Sequence, residues 1–587
     1  MLLQCPLTRA NSFRRGHIPM AYITRKRIKG ITYYYAEESE RRDGKSRRKW
    51  QKYLGPLHKI IAAMDRAPPK PKYAEVFQLG CPAAYLNTAE HIKMIQILDN
   101  VLPKRNQGPS IGFYLTLAAI NRGIEAVSKR SMWKWFQDTI LFRAFAEVNK
   151  ASLSSQRFWD NMSMITEDKI HSAWMKLVNS VLDRENIDLS CATYDGTNFY
   201  SFIGSFNTRC SVAKRGKNKQ GRRDLRQINY ALFCTRKDHF PLYFDVFEGN
   251  RHDSKEFGVV IERFFQAFNE RKPHGDGMTI VFDKGNNSID NFDKFIEDSG
   301  FHFVGSVKPD DHKDLALISN SDKCFTALSH PRLDQVKAFR TRKKIYGKNL
   351  TVAVTFNNNL YTSQVRSINN EINKCLGKLA VISAKLEDRI AGLITKGKKP
   401  TKESIKRQVA SILTGQHMKK LIKTTVTEHN GIPMLTYELD TDEYATLADT
   451  YLGKNIIITD NHDWSTEEIV VTYRSQYIIE DIFKQMKDRK RGTWWPMYHW
   501  TDNMIKVHGL YCSLSLLLRA LIMKKVQDAA MPMSMTKLHD KLCGIREVLN
   551  IFPRGKNKQV SQSVVSKMDE VQQRLFDLFG MGKYLSS

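Results

Sequence analysis

A change in hydrophobic periodicity at Asp188 constrains the fold of this chain more than any other feature. Over residues 84–180, apolar side chains recur every three or four positions, as they do on amphipathic helices. From Asp188 onward the period is two, which predicts three strands at 191–202, 227–235 and 240–247. The pattern then predicts a helix, a strand, a helix and a strand at 254–268, 278–283, 289–297 and 301–307. Three hairpin-connected strands followed by this alternation predict a mixed sheet covered by helices.

This order of elements is that of a ribonuclease-H-like fold. We therefore expect an α/β protein with such a core, a large insertion domain, and helical N- and C-terminal regions. The predicted segments are an extended or disordered N-terminus (1–20, with Met20 an alternative start to Met1), a small β-rich module and linker (21–75), a helical, DNA-binding region (76–185), the first part of the core (186–308), an insertion of strands plus a long helix (309–462), the second part of the core (463–530) and a C-terminal helical region (531–587).

The composition indicates a polyanionic partner. The 587 residues include 92 Lys and Arg against 61 Asp and Glu, a net charge of +31, which favours nucleic acid; a basic protein that binds none is the alternative. Nine cysteines form no C-x-x-C pair, so the sequence indicates neither a zinc site nor a disulfide framework, and reduced thiols fit a cytosolic protein. The most apolar stretch, 507–523, contains His508 and Arg519 and is short for a membrane span, so a buried helix is predicted.

Residues 473–487 predict a helix with a chemically distinctive face. Their sequence gives one face an acid, lysines and a phenol at spacings of three or four, from Tyr473, Gln476, Glu480, Lys484 and Lys487. Seven residues, about two turns or roughly 10 Å, separate Glu480 from Lys487. A carboxylate beside lysines suits a site where a metal ion and a phosphate meet.

Two acids on predicted strands complete this hypothesis. Asp195 lies within an apolar strand and Asp283 ends another, where a carboxylate is costly unless it is paired or binds a cation. A sheet can bring both together, and Glu480 on a later helix would complete a triad. Such oxygen ligands bind Mg²⁺ or Mn²⁺, and two ions about 4 Å apart can activate water and stabilise a leaving 3′-oxygen. Taken singly, either aspartate is as readily explained by a turn or a helix cap.

The joint order of these motifs resembles the DDE transposases of prokaryotic insertion sequences, in the cut-and-paste superfamily with a Y-x2-R-x3-E-x6-K signature. Tyr473, Glu480 and Lys487 match that signature, and Gln476 stands at its arginine position. Asp195, in Tyr-Asp-Gly-Thr-Asn-Phe, and Asp283, in Val-Phe-Asp-Lys-Gly-Asn-Asn-Ser, resemble the two aspartate blocks. The resemblance implies that Asp195, Asp283 and Glu480 are catalytic and hold two Mg²⁺ or Mn²⁺ ions.

The resemblance also implies partners and reactions. Such enzymes bind terminal inverted repeats, cleave strands, form hairpins and join the ends to target DNA, working as homodimers or larger synaptic complexes. It places this chain with double-stranded DNA in a prokaryotic cytoplasm, at the nucleoid, and not in a membrane. The expected DNA-contacting residues are Tyr473, Gln476, Lys484, Lys487, Lys214, Arg215, Arg222, Arg223 and Lys284.

Two tryptophans and two competing functions complete the expectations. Trp494 and Trp495 follow the signature helix, where they could stack on a flipped or hairpin base or pack in the core, and the core interpretation is favoured. A decayed or domesticated transposase that only binds DNA is the alternative that Gln476 leaves open. A standalone nuclease with the same metal chemistry is a third, which the large insertion disfavours.

Overall fold

The computed structural model describes residues 21–42, 45–65, 70–104, 107–216, 221–251, 253–268, 277–296, 300–554 and 558–586. The N-terminal segment predicted at 1–20 lies outside this range. The chain divides into two compact units, one of Met1–Glu75 with Leu549–Gln562 and one of Val76–Val548 with Ser563–Ser587. The candidate catalytic residues all belong to the second unit.

The first unit contains an antiparallel hairpin sheet, as its alternating β-rich sequence predicts. Its strands are β1 (Tyr22–Ile28), β2 (Ile31–Arg42) and β3 (Lys45–Pro56), followed by α1 (Leu57–Met64). Lys29 and Gly30, with φ of 49° and 81°, join the paired residues Ile28 and Ile31. Two central residues with positive φ form the tight turn that matches strand twist.

Short helices follow β4 (Tyr73–Gln78). They are α2 (Gly80–His91), α3 (Met94–Asp99), α4 (Ile111–Ile124), α5 (Met132–Gln137), α6 (Leu141–Ala144), α7 (Ser155–Met162) and α8 (Glu167–Leu182). Ser110 and Ser154 precede α4 and α7, where their hydroxyls accept hydrogen bonds from the backbone N–H of the third residue of each helix. The helical pattern predicted for this region is confirmed.

The predicted strand and helix order from Asp188 is also confirmed. The elements are β5 (Cys191–Ser201), β6 (Arg226–Thr235), β7 (Pro241–Glu248), α9 (Asp253–Phe268), β8 (Thr279–Val281), α10 (Ile289–Ile296) and β9 (His302–Val307). The first three strands are antiparallel neighbours, whereas β5, β8 and β9 run parallel. The sheet is therefore mixed and helix-covered.

The predicted insertion contributes to two different bodies. Its elements are α11 (Lys313–Ala316), β10 (Thr326–Ala327), β11 (Val336–Ile345), β12 (Lys348–Asn357), α12 (Asn358–Ile390), α13 (Lys402–Ile412), α14 (Met418–Leu421), β13 (Ile422–His429), β14 (Ile432–Leu439), α15 (Thr441–Thr450) and β15 (Lys454–Thr459). Within the described residues, β10, β11, β12 and β15 extend the central sheet, in the order β10-β11-β12-β15-β9-β8-β5-β6-β7. Only α12 to α15 and the hairpin β13–β14 share a separate apolar core, so the inserted body is smaller than 309–462.

The C-terminal part departs from the all-helical prediction. It contains α16 (Thr466–Arg474), α17 (Tyr477–Lys487), α18 (Asp502–Asp528), α19 (Met535–Cys543), β16 (Arg546–Arg554), β17 (Lys558–Val565) and α20 (Glu570–Leu578). The prediction of helix throughout 531–587 is wrong, because β16 and β17 pair in the order β17-β16-β4. The second partner of β16, β4, lies near the other end of the sequence, and local periodicity does not reveal such a pairing.

Helix α18 is a long helix of 27 residues. By length and composition it could cross a membrane, but 94% of its most apolar window is buried inside the protein. Gly509 lets it approach the sheet closely, since a Cβ there would lie 2.6 Å from Val246 Cγ2. The predicted buried helix is confirmed.

The two faces of the sheet carry different helices. Tyr194 and Phe233 pack on Phe257 and Phe264 of α9, with ring centroids 4.6 Å and 4.1 Å apart. Tyr230, which points the other way along β6, shares a 2.6 Å hydrogen bond with Ser513 of α18. The face of α18 is therefore opposite to the face of α9.

Candidate active site

Strand register brings Asp195 and Asp283 to the same level of the sheet. In the parallel pair of β5 and β8, Thr193 lies beside Val281. Asp195 is two residues beyond Thr193, and Asp283 is two residues beyond Val281. Neighbouring strands lie about 4.8 Å apart, and residues two apart share a face. Although 88 positions separate them in sequence, the register places both aspartates on one side, Asp195 within β5 and Asp283 just beyond the end of β8.

That side is the one covered by α16 and α17. Lys487 on α17 donates a 2.5 Å hydrogen bond to Thr197 Oγ1, and Thr197 shares the face of Asp195. Val281, on the face of Asp283, belongs to an apolar cluster with Ile469 of α16. The aspartates therefore point towards the helices that carry the signature residues.

The single signature helix predicted at 473–487 is two helices. Helix α16 ends at Arg474 and α17 begins at Tyr477, so Tyr473 and Glu480 lie on different helices. Between them, Ser475 and Gln476 donate backbone hydrogen bonds to residues three positions earlier. This tighter 3₁₀-type turn interrupts the helix between Tyr473 and Gln476, so the prediction of one continuous helix is wrong there. The Gln476 carbonyl still accepts the backbone hydrogen bond of Glu480 at the start of α17. Glu480 and Lys487 keep their predicted spacing on α17.

Tyr473 connects α16 to both acidic positions. Its hydroxyl donates a 2.8 Å hydrogen bond to Ser306 on β9, next to β8. Burial raises the pKa of Tyr473, and the negative charges of Asp283 and Glu480 raise it further. The phenol therefore lies within electrostatic reach of both carboxylates.

The acidic and basic side chains of the candidate site differ in solvent exposure. Asp283, Glu480 and Lys484 are exposed, whereas Asp195 and Lys487 are half-buried. Gln476 is also half-buried, and its side-chain nitrogen has no hydrogen-bond partner among the described residues. Asp283 begins a short 3₁₀ turn, where its carboxylate accepts a 2.8 Å hydrogen bond from the Lys284 backbone N–H.

The basic segment between β5 and β6 approaches the chain that follows α17. Lys214, Arg215, Arg222 and Arg223 are all exposed, while 217–220 lies outside the described residues. Arg222 pairs with Asp224 at 3.0 Å and lies 5.7 Å from the ring centre of Tyr200 at the end of β5. Arg489 donates a hydrogen bond to the Tyr200 hydroxyl. Basic side chains from two segments thus meet at the Tyr200 end of β5.

The structure places Trp494 in the core. It is 0% exposed, and its indole stacks on Phe199 with centroids 4.0 Å apart and planes 9° apart. No base can stack on an indole so enclosed, which corrects the base-stacking expectation for Trp494. Trp495 is 9% exposed and packs on Tyr200 and Arg489, with centroid distances of 4.9 Å and 5.3 Å.

Sequence reasoning missed a basic cavity of about 650 Å³ near the start of β5. Arg236, Lys237, Arg332 and Arg474 line it, with the first residues of α17. Arg236 donates to Thr472 Oγ1 at 2.8 Å, and Arg474 donates to the Arg332 carbonyl at 3.1 Å. These cations come from distant segments, so only the overall charge could have indicated them. Lys284 lies elsewhere, exposed beside Asp283.

The donor set fits a hard divalent cation. Asp195, Asp283 and Glu480 offer carboxylate oxygens, the ligand type that Mg²⁺ and Mn²⁺ prefer. Two of the three are exposed, which leaves room for water and for a phosphate. The chemistry of these residues is therefore compatible with the metal binding expected from the sequence.

Comparison with known proteins gives a match to one family model. The model described as transposase DDE domain matches residues 206–516, more than half of the chain. Among solved structures, the cryo-EM structure of a piggyBac transposase synaptic complex with hairpin DNA is similar at 9% identity and a TM-score of 0.30, covering 79% of this chain and 78% of that one. No curated protein matches the sequence.

Proposed function

Because this chain belongs to the transposase DDE-domain family, we propose that it cuts and rejoins DNA through Asp195, Asp283 and Glu480, in cut-and-paste transposition of an insertion sequence. The observation that carries the proposal is the register of β5 and β8, which sets Asp195 beside Asp283 on the face covered by α17. The family match alone names no residue. The register supports Asp195 and Asp283, and Glu480 lies on α17, the helix whose Lys487 contacts Thr197 on the strand of Asp195.

The sheet order supports a ribonuclease-H-like core. The strands β7-β6-β5-β8-β9 are contiguous, with β5, β8 and β9 parallel and β6 antiparallel to β5. Along the chain, these elements form three hairpin-connected strands followed by a helix, a strand, a helix and a strand. The strands β15, β12, β11 and β10 extend such a core beyond β9.

The three carboxylates would hold Mg²⁺ or Mn²⁺, two ions in the expected arrangement. Bound there, divalent ions supply charge stabilisation for phosphodiester cleavage and lower the pKa of water. Half-buried Asp195, fixed on a core strand, gives the site a rigid ligand, whereas exposed Glu480 on α17 faces incoming substrate. Lys484 and Lys487, one turn apart, are suited to contact DNA phosphates.

The charge distribution supports double-stranded DNA as the substrate. Arg222 and Arg489 meet beside Tyr200 at the end of β5, the strand that carries Asp195. Lys214, Arg215 and Arg223 add exposed positive charge on the same segment. We propose that this edge guides transposon ends to the carboxylates, in a homodimeric synaptic complex at the nucleoid of a prokaryotic cytoplasm.

Supercoiled plasmid carrying candidate end sequences tests the proposal. With Mg²⁺ or Mn²⁺, the wild type should nick and then join strands. Asp195→Asn, Asp283→Asn and Glu480→Gln should each abolish nicking while DNA binding in a gel-shift assay persists. Asp481→Asn is a matched control, because Asp481 is the exposed acid next to Glu480 and points about 100° away on the helix.

A DNA-binding protein without catalysis is the second candidate, and Gln476 favours it. The amide at the family's arginine position has a buried nitrogen with no partner in the described chain. Specific binding to ends without any strand cleavage in either metal would support this candidate and reject the enzyme. Gln476→Arg would then test whether the missing guanidinium is the cause.

A further inference from the structure

Two cysteines and a histidine from distant parts of the chain converge beside the start of α2. Cys81 lies in the first turn of α2, and His539 and Cys543 lie one turn apart on α19. Their sulfur and ring-nitrogen atoms all lie within 4.8 Å of one another. Cys81 and Cys543 have Sγ atoms 3.0 Å apart, and Cys543 Sγ is 3.5 Å from His539 Nδ1. The acids of the candidate active site take no part in this cluster.

The protonation state of His539 suits a metal ligand. Its Nε2 lies 2.9 Å from the carbonyl oxygen of Ile124. A carbonyl oxygen only accepts hydrogen bonds, so Nε2 carries the proton and Nδ1, which lies 3.5 Å from Cys543 Sγ, keeps its lone pair. Metal-binding histidines almost always use their second nitrogen in this way, to fix the ring.

The distances within the cluster fit a metal site better than a disulfide. Two thiolates at 2.3 Å from a tetrahedral zinc ion would lie about 3.8 Å apart, and a thiolate and an imidazole nitrogen about 3.5 Å apart. The sulfur-to-nitrogen distance already matches, and the sulfur pair would need to open by less than about 1 Å, which a small side-chain rotation supplies. The sulfurs stand well beyond the roughly 2.05 Å of a disulfide.

We propose that Cys81, His539 and Cys543 bind one Zn²⁺ ion. Two soft thiolates and one imidazole are a ligand set that zinc favours, and hard cations such as Mg²⁺ do not. A cavity of about 260 Å³ borders all three side chains, leaving space for water as a fourth ligand. The two thiolate charges would balance the ion beside Arg491, which also lines this cavity.

The ion would have a structural role. It would join α2 to α19 across 458 sequence positions. Asp540, next to His539, pairs with Arg491 at 2.7 Å, and Arg519 donates to the Arg491 carbonyl at 2.6 Å. The zinc-bound helix would thus fix the segment that follows α17. This proposal does not depend on the proposed catalytic function.

Metal analysis of the full-length protein, purified without a polyhistidine tag, tests the inference. After dialysis, we expect inductively coupled plasma mass spectrometry to measure about one zinc ion per chain. In wild-type protein stripped by a chelator, Co²⁺ should produce d–d absorption and a sulfur-to-cobalt charge-transfer band. Cys81→Ser, His539→Gln and Cys543→Ser should each weaken Co²⁺ binding by about tenfold or more. The control, Cys324→Ser, replaces an exposed cysteine outside the cluster and should bind as the wild type does.

Three outcomes would overturn the inference. The first is wild-type protein that binds neither zinc nor Co²⁺. The second is a Cys81–Cys543 disulfide in freshly purified protein, seen as two missing thiols after denaturation without reductant. The third is zinc retained at full stoichiometry in all three variants, which would place the ion elsewhere. Should a variant fail to fold, the Co²⁺ spectrum of the wild type still decides, because charge-transfer absorption requires thiolate ligands.

Discussion

Substitution of Trp494 tests whether this side chain stabilises the protein core or contacts DNA. Its indole is fully buried against Phe199, which lies on the same strand as Asp195. Trp494→Ala would remove most of a large side chain from a packed core, which costs about 3–5 kcal/mol of unfolding free energy. We therefore expect this variant to unfold at a clearly lower urea concentration.

Trp494→Phe should change the unfolding free energy much less than Trp494→Ala does. The indole nitrogen of Trp494 is buried with no hydrogen-bond partner among the described residues. An unsatisfied buried donor costs about 1–3 kcal/mol, so its removal offsets the smaller volume of phenylalanine. The unfolding free energy of Trp494→Phe should stay within about 1 kcal/mol of the wild type.

Urea unfolding followed by far-ultraviolet circular dichroism measures these differences. Tyr498→Ala is the control, because Tyr498 is 73% exposed and its loss should leave the midpoint nearly unchanged. The core interpretation is refuted if Trp494→Ala unfolds with the wild type yet binds hairpin DNA about 5- to 150-fold more weakly. That loss corresponds to the roughly 1–3 kcal/mol of a stacked base.

Further predictions concern charge, positioning and pH. Arg223→Ala should reduce the slope of log affinity for DNA against log salt by about 0.9, measured by fluorescence anisotropy, since it removes one exposed phosphate contact; an unchanged slope would exclude Arg223 from the interface. Thr197→Val should slow strand cleavage more than it weakens DNA binding, because Lys487 loses its hydroxyl acceptor, and Thr197→Ser, which keeps the hydroxyl, should restore the rate. Burial, followed by two nearby basic side chains, lowers the pKa of His499 from 6.5 to about 3. As pH falls from 6.5 towards 3 the unfolded chain binds the proton first, so the unfolding free energy should decrease, and His499→Gln should flatten that dependence in urea titrations.

The central sheet was predictable because its signals are local. Period-two alternation and turn residues mark each strand from β5 to β9, and their predicted ends differ from the structure by at most a few residues. The pairing of β15 with β9 and β12 was not predictable, since its partners lie about 100 or more residues earlier. The pairing of β16 with β4 was not predictable for the same reason.

In the candidate site, too, the features with a local sequence signal could be predicted and the others could not. Asp195, Asp283 and Glu480 could be selected because each stands within a recognisable local block. The break at Ser475 and Gln476 could not be predicted, because the residues on either side retain helical spacing. Only the backbone hydrogen bonds change there, from spanning four residues to spanning three. The Cys81, His539 and Cys543 cluster escaped detection because no short motif joins residues so far apart in sequence.

The burial of α18 has a consequence for synthesis of the protein. The strands that it covers end at Glu248, but α18 ends at Asp528, 280 residues later. At roughly 5–20 residues per second, a ribosome needs about 14–56 s to make that interval. Throughout it, the apolar face of β6 and β7 lacks its covering helix. Nascent chains should therefore depend on chaperones over this interval, and premature termination before α18 should leave an aggregating fragment instead of a partly active enzyme.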